Sequence, residues 1–125
     1  MCLNTNQPFP FVALRDKKVF KVVRKGNTYR MENLSPFFSL LYRENCGYEA
    51  NLKATFAPRY WSMFEINEGL HAYTSKWRAE KWIGKSHYEY KVVEVTVPKG
   101  ALYYRGGGGE IVSNKLVTKS LEAVL

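Results

Sequence analysis

YEYKVVEVTVPKG, residues 88 to 100, decides the fold. Val93, Val95 and Val97 alternate with polar residues in the two-residue period of a strand, and Pro98-Lys99-Gly100 ends it with a turn. Before Val93 the apolar residues fall on the other phase: Tyr88, Tyr90, Val92. A phase slip of this kind marks a strand buried on both faces, or a bulge.

Working outward, residues 101 to 104 read as a short strand and 111 to 121 as one or two more. On the other side lies GLHAYTSKWRAEKWIGK, residues 69 to 85. Residues 69 to 73 are strand-like. Thr74 or Ser75 then caps a helix over residues 75 to 84, with Ala79, Trp82 and Ile83 on one face and Gly84 as its stop. KVFKVVR, residues 18 to 24, is a further strand followed by a Gly26-Asn27 turn. The prolines of PFPF, residues 8 to 11, lack an amide donor, which predicts an extended, packed lead-in. Ser35 and Pro36 fit the cap and first position of a short helix, though a strand fits there too. Residues 48 to 66, with scattered aromatics, suggest one strand and a long loop around Pro58. Many short strands with one good helix make an α+β domain.

Composition bounds the function. A chain of 125 residues, 46% hydrophobic and 15% aromatic, has the size of one domain and enough apolar mass for a core. The formal charge of +8 favours anionic partners, and because the basic residues are spread along the chain it does not suggest a disordered nucleic-acid arm. No stretch approaches the roughly 18 apolar residues of a membrane span, and MCLNTNQPFPF lacks the charged and apolar regions of a secretory signal. Cys2 and Cys46 make neither a disulfide framework nor a zinc site, so a cytoplasmic protein is expected, with no metal. Loss of Met1 would make Cys2 an N-terminal nucleophile, but no companion motif follows and the simpler reading is a small hydrophobe at a chain end.

Four groupings bear on chemistry. In RGGGGEIVSNK, residues 105 to 115, successive glycine amides could cradle a phosphate. A β-rich stretch and not a helix follows, and there is no GK[ST] or GxGxxG, so a hairpin tip is the better reading. Its flanks Arg105 and Glu110, with Gly107 and Gly108, could close over a pocket. Alternation places His71 and Tyr73 on one strand face, and with Thr74 and Ser75 they could hold a ribose and stack a base. A lone histidine is more often a hydrogen-bonded core residue. Glu110 is the only acid between Glu94 and Glu122; it is either solvated or a catalytic carboxylate able to stabilise an oxocarbenium-like state. Finally, Trp77, Arg78, Lys81, Trp82, Lys85, His87 and Tyr88 interleave stacking rings with cations, as single-stranded nucleic-acid sites do, although Trp82 belongs to the core face of the helix.

The opening MCL, then FKVVR, LSPF, GLHAYTS, VVEVTVPKGALYYRG and VSNKL, in that order, resemble a family of small uncharacterised phage and prophage proteins. That likeness implies no established activity. More loosely, the order of elements is similar to ADP-ribosyltransferases: a strand with a basic residue, a Gly-Leu-His strand leading to a helix, a long strand and a late glutamate. By position this resemblance assigns Arg24, the Tyr73-Thr74-Ser75 run and Glu110 to the family's site. Glu110 is not part of an ExE or QxE pair, so the likeness implies a pocket for an ADP-ribose-like ligand more than it implies catalysis.

The expectation is a small split, bent β-sheet with one main helix. It would be a phage-encoded binder of a nucleotide or ADP-ribose-type signal, sequestering a host immune messenger in the bacterial cytoplasm. It requires no cofactor, though NAD or ADP-ribose-like ligands fit the reading, and nucleic acid ranks below free nucleotide. One alternative is ADP-ribosyl transfer or NAD cleavage, with Glu110 catalytic and Arg24 gripping phosphate. Another is a protein that inhibits a host enzyme by direct contact. A site shared between copies of the chain is compatible with each.

Overall fold

A computed structural model describes residues 3–25, 41–57, 63–86 and 88–124. The Gly26-Asn27 turn, the Ser35-Pro36 helix start, Pro58, Cys2 and His87 lie outside the described residues.

The valine-rich stretch is strand β8 (Tyr90–Val97) and pairs antiparallel with β3 (Lys17–Arg24) through eight unbroken positions, from Lys17↔Val97 to Arg24↔Tyr90. The slip at Val92 and Val93 is therefore burial on both faces, and there is no bulge. Val92 packs under the helix α1 (Lys76–Ile83), whereas Val93 faces the opposite core.

Flanking these are β2 (Phe11–Val12), β4 (Gly47–Glu49), β7 (Leu70–Tyr73), β9 (Leu102–Arg105), β10 (Glu110–Ser113) and β11 (Lys115–Thr118). Together they form one sheet in the order β2-β9-β10-β7-β3-β8-β11-β4. Its connections force a sharp bend. β8 and β9 stand four places apart, which in a flat sheet is about 19 Å. Yet they are joined by a turn in which Ala101 N–H donates to the Pro98 carbonyl at 3.0 Å, a closure that keeps the turn's ends within about 7 Å. Likewise β10 and β11, also four places apart, are joined by Asn114 alone. Both links are satisfied only if β2-β9-β10-β7 folds over onto β3-β8-β11-β4. Among the described residues the two halves are joined by the single pair Phe20↔Tyr73. This is the split, bent α+β sheet with one main helix.

Between the halves lies the main core, including Val19, Val23, Leu70, Ala72, Val93, Val95, Val97, Ile111 and Leu116. A cation shares this interior. Lys21 is 2% exposed; its Nζ donates to the His71 carbonyl at 2.5 Å and sits 4.8 Å from the Tyr42 ring centre. Burial pulls its pKa down to about 7.

The outer face of the sheet carries two covers. One is α1, which straddles the junction of the halves, over Tyr73 of β7, Val22 of β3 and Val92 of β8. The other is a three-stranded sheet, β1 (Leu3–Thr5), β6 (Met63–Glu68) and β5 (Lys53–Ala57), whose Leu3 and Ile66 pack on Tyr104 and Val112. Chain passes from β6 into β7 through Gly69, at φ +143°.

Two local expectations change. Residues 48 to 66 contain parts of three strands and not one, because their aromatics pair across strands instead of marking a buried face: Phe56 and Phe64 rings meet at 5.6 Å with Phe56 exposed. The Pro-Phe-Pro-Phe lead-in bends at Pro8 and Phe9 before it enters β2, and its rings are largely uncovered, with Phe9 78% and Phe11 48% exposed. A two-residue edge strand has too little partner surface to cover them.

Candidate functional site

The site forms where α1 meets the glycine hairpin. Antiparallel pairing sets Glu110 directly opposite Tyr73, so both side chains leave the sheet on the α1 side. Chain leaves β7 through Thr74, whose N–H and hydroxyl both donate to the Gly109 carbonyl, at 2.9 and 3.2 Å. These bonds fasten the hairpin tip to the start of the helix. Ser75 is the helix N-cap in extended conformation, its carbonyl accepting the Ala79 N–H at 3.3 Å; its hydroxyl makes no capping bond. At the other end Gly84, at φ +54°, closes the helix by donating to the Glu80 carbonyl.

Within the hairpin, Gly106 N–H donates to the Glu110 carbonyl at 3.0 Å. Gly108 N–H donates to Glu110 Oε2, also at 3.0 Å. The chain's own carboxylate thus takes the Gly108 amide that a phosphate oxygen would need. Gly109 sits at φ +80°, and a Cβ there would lie 2.1 Å from Arg78 Cδ. The missing side chain lets the arginine stem cross the tip.

What results is an open pocket of about 350 Å³ lined by Tyr73, Trp77, Arg78, Lys81, Trp82, Gly108 and Glu110. Trp77 is 57% exposed, and the Arg78 guanidinium lies 4.7 Å from its ring centre. Trp82 meets Tyr90 edge-on at 5.4 Å and forms the inner wall. Burial, and then the negative charge of Glu110, push the Tyr73 phenol up to about 12. It stays protonated at physiological pH and can donate to an acceptor.

Of the residues singled out in the sequence, Tyr73, Gly108 and Glu110 line this pocket. Thr74 and Ser75 stand behind it as backbone fasteners. His71 does not line it: it is 4% exposed and lies opposite Val112, whose side chain packs beneath the small sheet. Arg105 is opposite Ile111, on the other face of the sheet from Glu110, and lines a separate groove with Lys17. One hairpin flank therefore faces each side of the sheet, and the two do not close over one pocket. Arg24 stacks on Tyr90 at 5.3 Å and does not line the site; Gly107 has nothing within 4 Å of a would-be Cβ and lies outside it as well.

The helix supplies what sequence reading had assigned to a separate nucleic-acid face. Trp77 and Lys81, and Arg78 and Trp82, are i,i+4 pairs on adjacent rows, which is the signal that groups them. Among the described residues no group of three His, Cys, Asp or Glu stands together to hold a metal ion, and no helix is long and apolar enough to cross a membrane.

The chain matches no protein-family model, no curated protein and no solved structure.

Proposed function

We propose that the pocket between α1 and the glycine hairpin binds a nucleotide of the ADP-ribose type and holds it without turnover. The observation that carries this reading is the convergence of an exposed indole, two cations and one carboxylate on about 350 Å³, a volume at the small end of ligand sites. A purine stacks on Trp77. Phosphate meets Arg78 and Lys81, with charge-assisted hydrogen bonds to the guanidinium. Glu110 repels phosphate and accepts from ribose hydroxyls, which fixes the ligand's direction in the site. Placed in a bacterial cell by a phage, such a protein would lower the free concentration of a host signal. The resemblance to phage proteins supports that setting.

Native mass spectrometry of the protein purified from cells, followed by denaturation, tests the reading. An adduct of nucleotide mass is expected on the wild type and absent from Arg78→Ala. Ligand at a hundred times its Kd would add about 2.7 kcal/mol of stability, a rise of roughly 10 °C in Tm for a domain of this size. A bare polypeptide, with no thermal shift from NAD, ADP-ribose or cyclic nucleotides, would rule the reading out.

A second reading rests on Glu110 itself, half-buried beside Tyr73 in the pocket wall. Such a carboxylate can stabilise positive charge developing on a ribose carbon as nicotinamide leaves and water adds. Nicotinamide released from NAD by the wild type, and not by Glu110→Gln that still binds nucleotide, would establish catalysis. Intact nucleotide recovered from the heated complex would establish sequestration.

A further inference from the structure

A second groove opens on the inner face of the sheet, on the opposite side from Glu110. It encloses about 860 Å³ and is lined in part by Phe11, Arg15, Asp16, Lys17, Tyr103 and Arg105. Pairing sets Phe11 opposite Tyr103, and their rings meet at 5.6 Å, tilted by 56°. Lys17 lies three strands from Tyr103 in the sheet order, yet its Nζ stands 5.3 Å from that ring's centre. The bend of the sheet brings them together. Arg105 lies two residues beyond Tyr103 on the same face, so two aromatic rings and two cations form one surface.

The charge balance is one-sided. Arg15, Lys17 and Arg105 face one acid, Asp16, and its Oδ1 already accepts the Lys99 N–H at 2.9 Å. Lys18 turns to the outer face, 3.8 Å from Glu94. Burial and the neighbouring Arg105 charge lower the Lys17 pKa, a repulsion that a bound anion would relieve.

We infer that this groove binds single-stranded nucleic acid, with bases stacked on Phe11 and Tyr103 and phosphates at Arg15, Lys17 and Arg105. The exposed Phe11 and the half-buried Tyr103, flanked by cations, can accept any base, because every base has a π-face. An added peptide strand, the other natural occupant of a sheet edge, is disfavoured by β2. Ala13 donates to Ala101 O and accepts from Gly100 N–H, both at 2.8 Å, so alternation turns Pro10 and Val12 to the outer edge. Pro10 has no N–H to offer, and β2 is two residues long.

Fluorescence anisotropy with a labelled oligothymidylate of about ten nucleotides tests this. Three cations predict a slope of log affinity against log salt of about −2, falling to about −0.7 in the double variant Lys17→Ala/Arg105→Ala. Phe11→Ala, at an exposed site, weakens binding about tenfold. Trp77→Ala leaves it unchanged, which separates this groove from the nucleotide pocket. Three results would overturn the inference: no binding at low salt; affinity and slope unaltered in both groove variants; or capture of an acidic Glu/Val peptide, lost in those variants, while the oligonucleotide stays free.

Discussion

Lys21 carries an ammonium whose partners among the described residues are the His71 carbonyl and the Tyr42 ring. Its pKa falls from 10.5 to about 7 on folding because burial penalises the charge. Between those values the unfolded chain holds a proton that the folded chain lacks, so stability rises with pH, by at most about 1.4 kcal/mol per unit. Below about 7 both states are protonated and the full penalty remains. Chemical denaturation at pH 6, 7.5 and 9 should therefore show a rise that Lys21→Met flattens; equal slopes in the two proteins would refute this account of the buried amine. Glu110 and Tyr73 give a second residue-level test. Glu110→Gln removes one of the two causes of the raised phenol pKa, so the Tyr73 Cζ resonance should titrate at lower pH. It should still titrate above 10, the ordinary value, because burial remains. Tyr73, Glu110 and the glycines were visible as candidates in the sequence. That Glu110 bonds the Gly108 amide was not, since two residues of spacing do not state which way a carboxylate turns.

At the scale of elements, glycine positions separate what the fold requires from what it tolerates. A Cβ on Gly69 would lie 2.2 Å from Val112 Cγ1 and 2.8 Å from Leu52 Cδ2, at a φ of +143°. Val112 is buried and stiff at χ1, so Gly69→Ala should cost more than about 2 kcal/mol. Gly107 meets nothing within 4 Å, and Gly107→Ala should change stability by less than about 0.5 kcal/mol. Thermal melts of the pair check the contrast; comparable losses would mean that the β6–β7 corner is not so tightly packed. The strands β3, β7 and β8 and the helix α1 were legible because each has a buried face with the right period. β4, β5 and β6 were not: Phe56 and Phe64 pair with each other near the surface and Tyr48 of the short β4 packs on the buried Tyr42, so no period is left to read. The Ser75 hydroxyl was expected to share in capping, but its carbonyl carries the helix start.

On the scale of the whole molecule, the fold sets two clusters of aromatic rings and cations on opposite faces of the sheet. Two very short connections, at Pro98–Ala101 and at Asn114, fold the sheet upon itself, and β10 then divides outer from inner face. Glu110 goes to the pocket under α1 and Arg105, on the neighbouring strand, to the inner groove. Sequence suggested one site closed by both residues, because a hairpin read in one dimension does not reveal which face each flank joins. The bend was anticipated only through a loose likeness, since it depends on strand order, which no local pattern encodes. The central claim is that a free nucleotide saturates the outer-face pocket beside α1 and not the inner groove. Two-dimensional NMR of the assigned protein, titrated with ADP-ribose, NAD and a cyclic dinucleotide, tests it most directly. The account predicts that at least one of them shifts the Trp77 and Trp82 indole N–H signals and the Gly108 and Glu110 amides in a saturable manner. Signals of Phe11, Lys17 and Tyr103, whose groove needs several linked nucleotides to fill, should move only weakly and without saturating over the same range. Shifts confined to those inner-groove residues, or no saturable shift with any of the three, would contradict it.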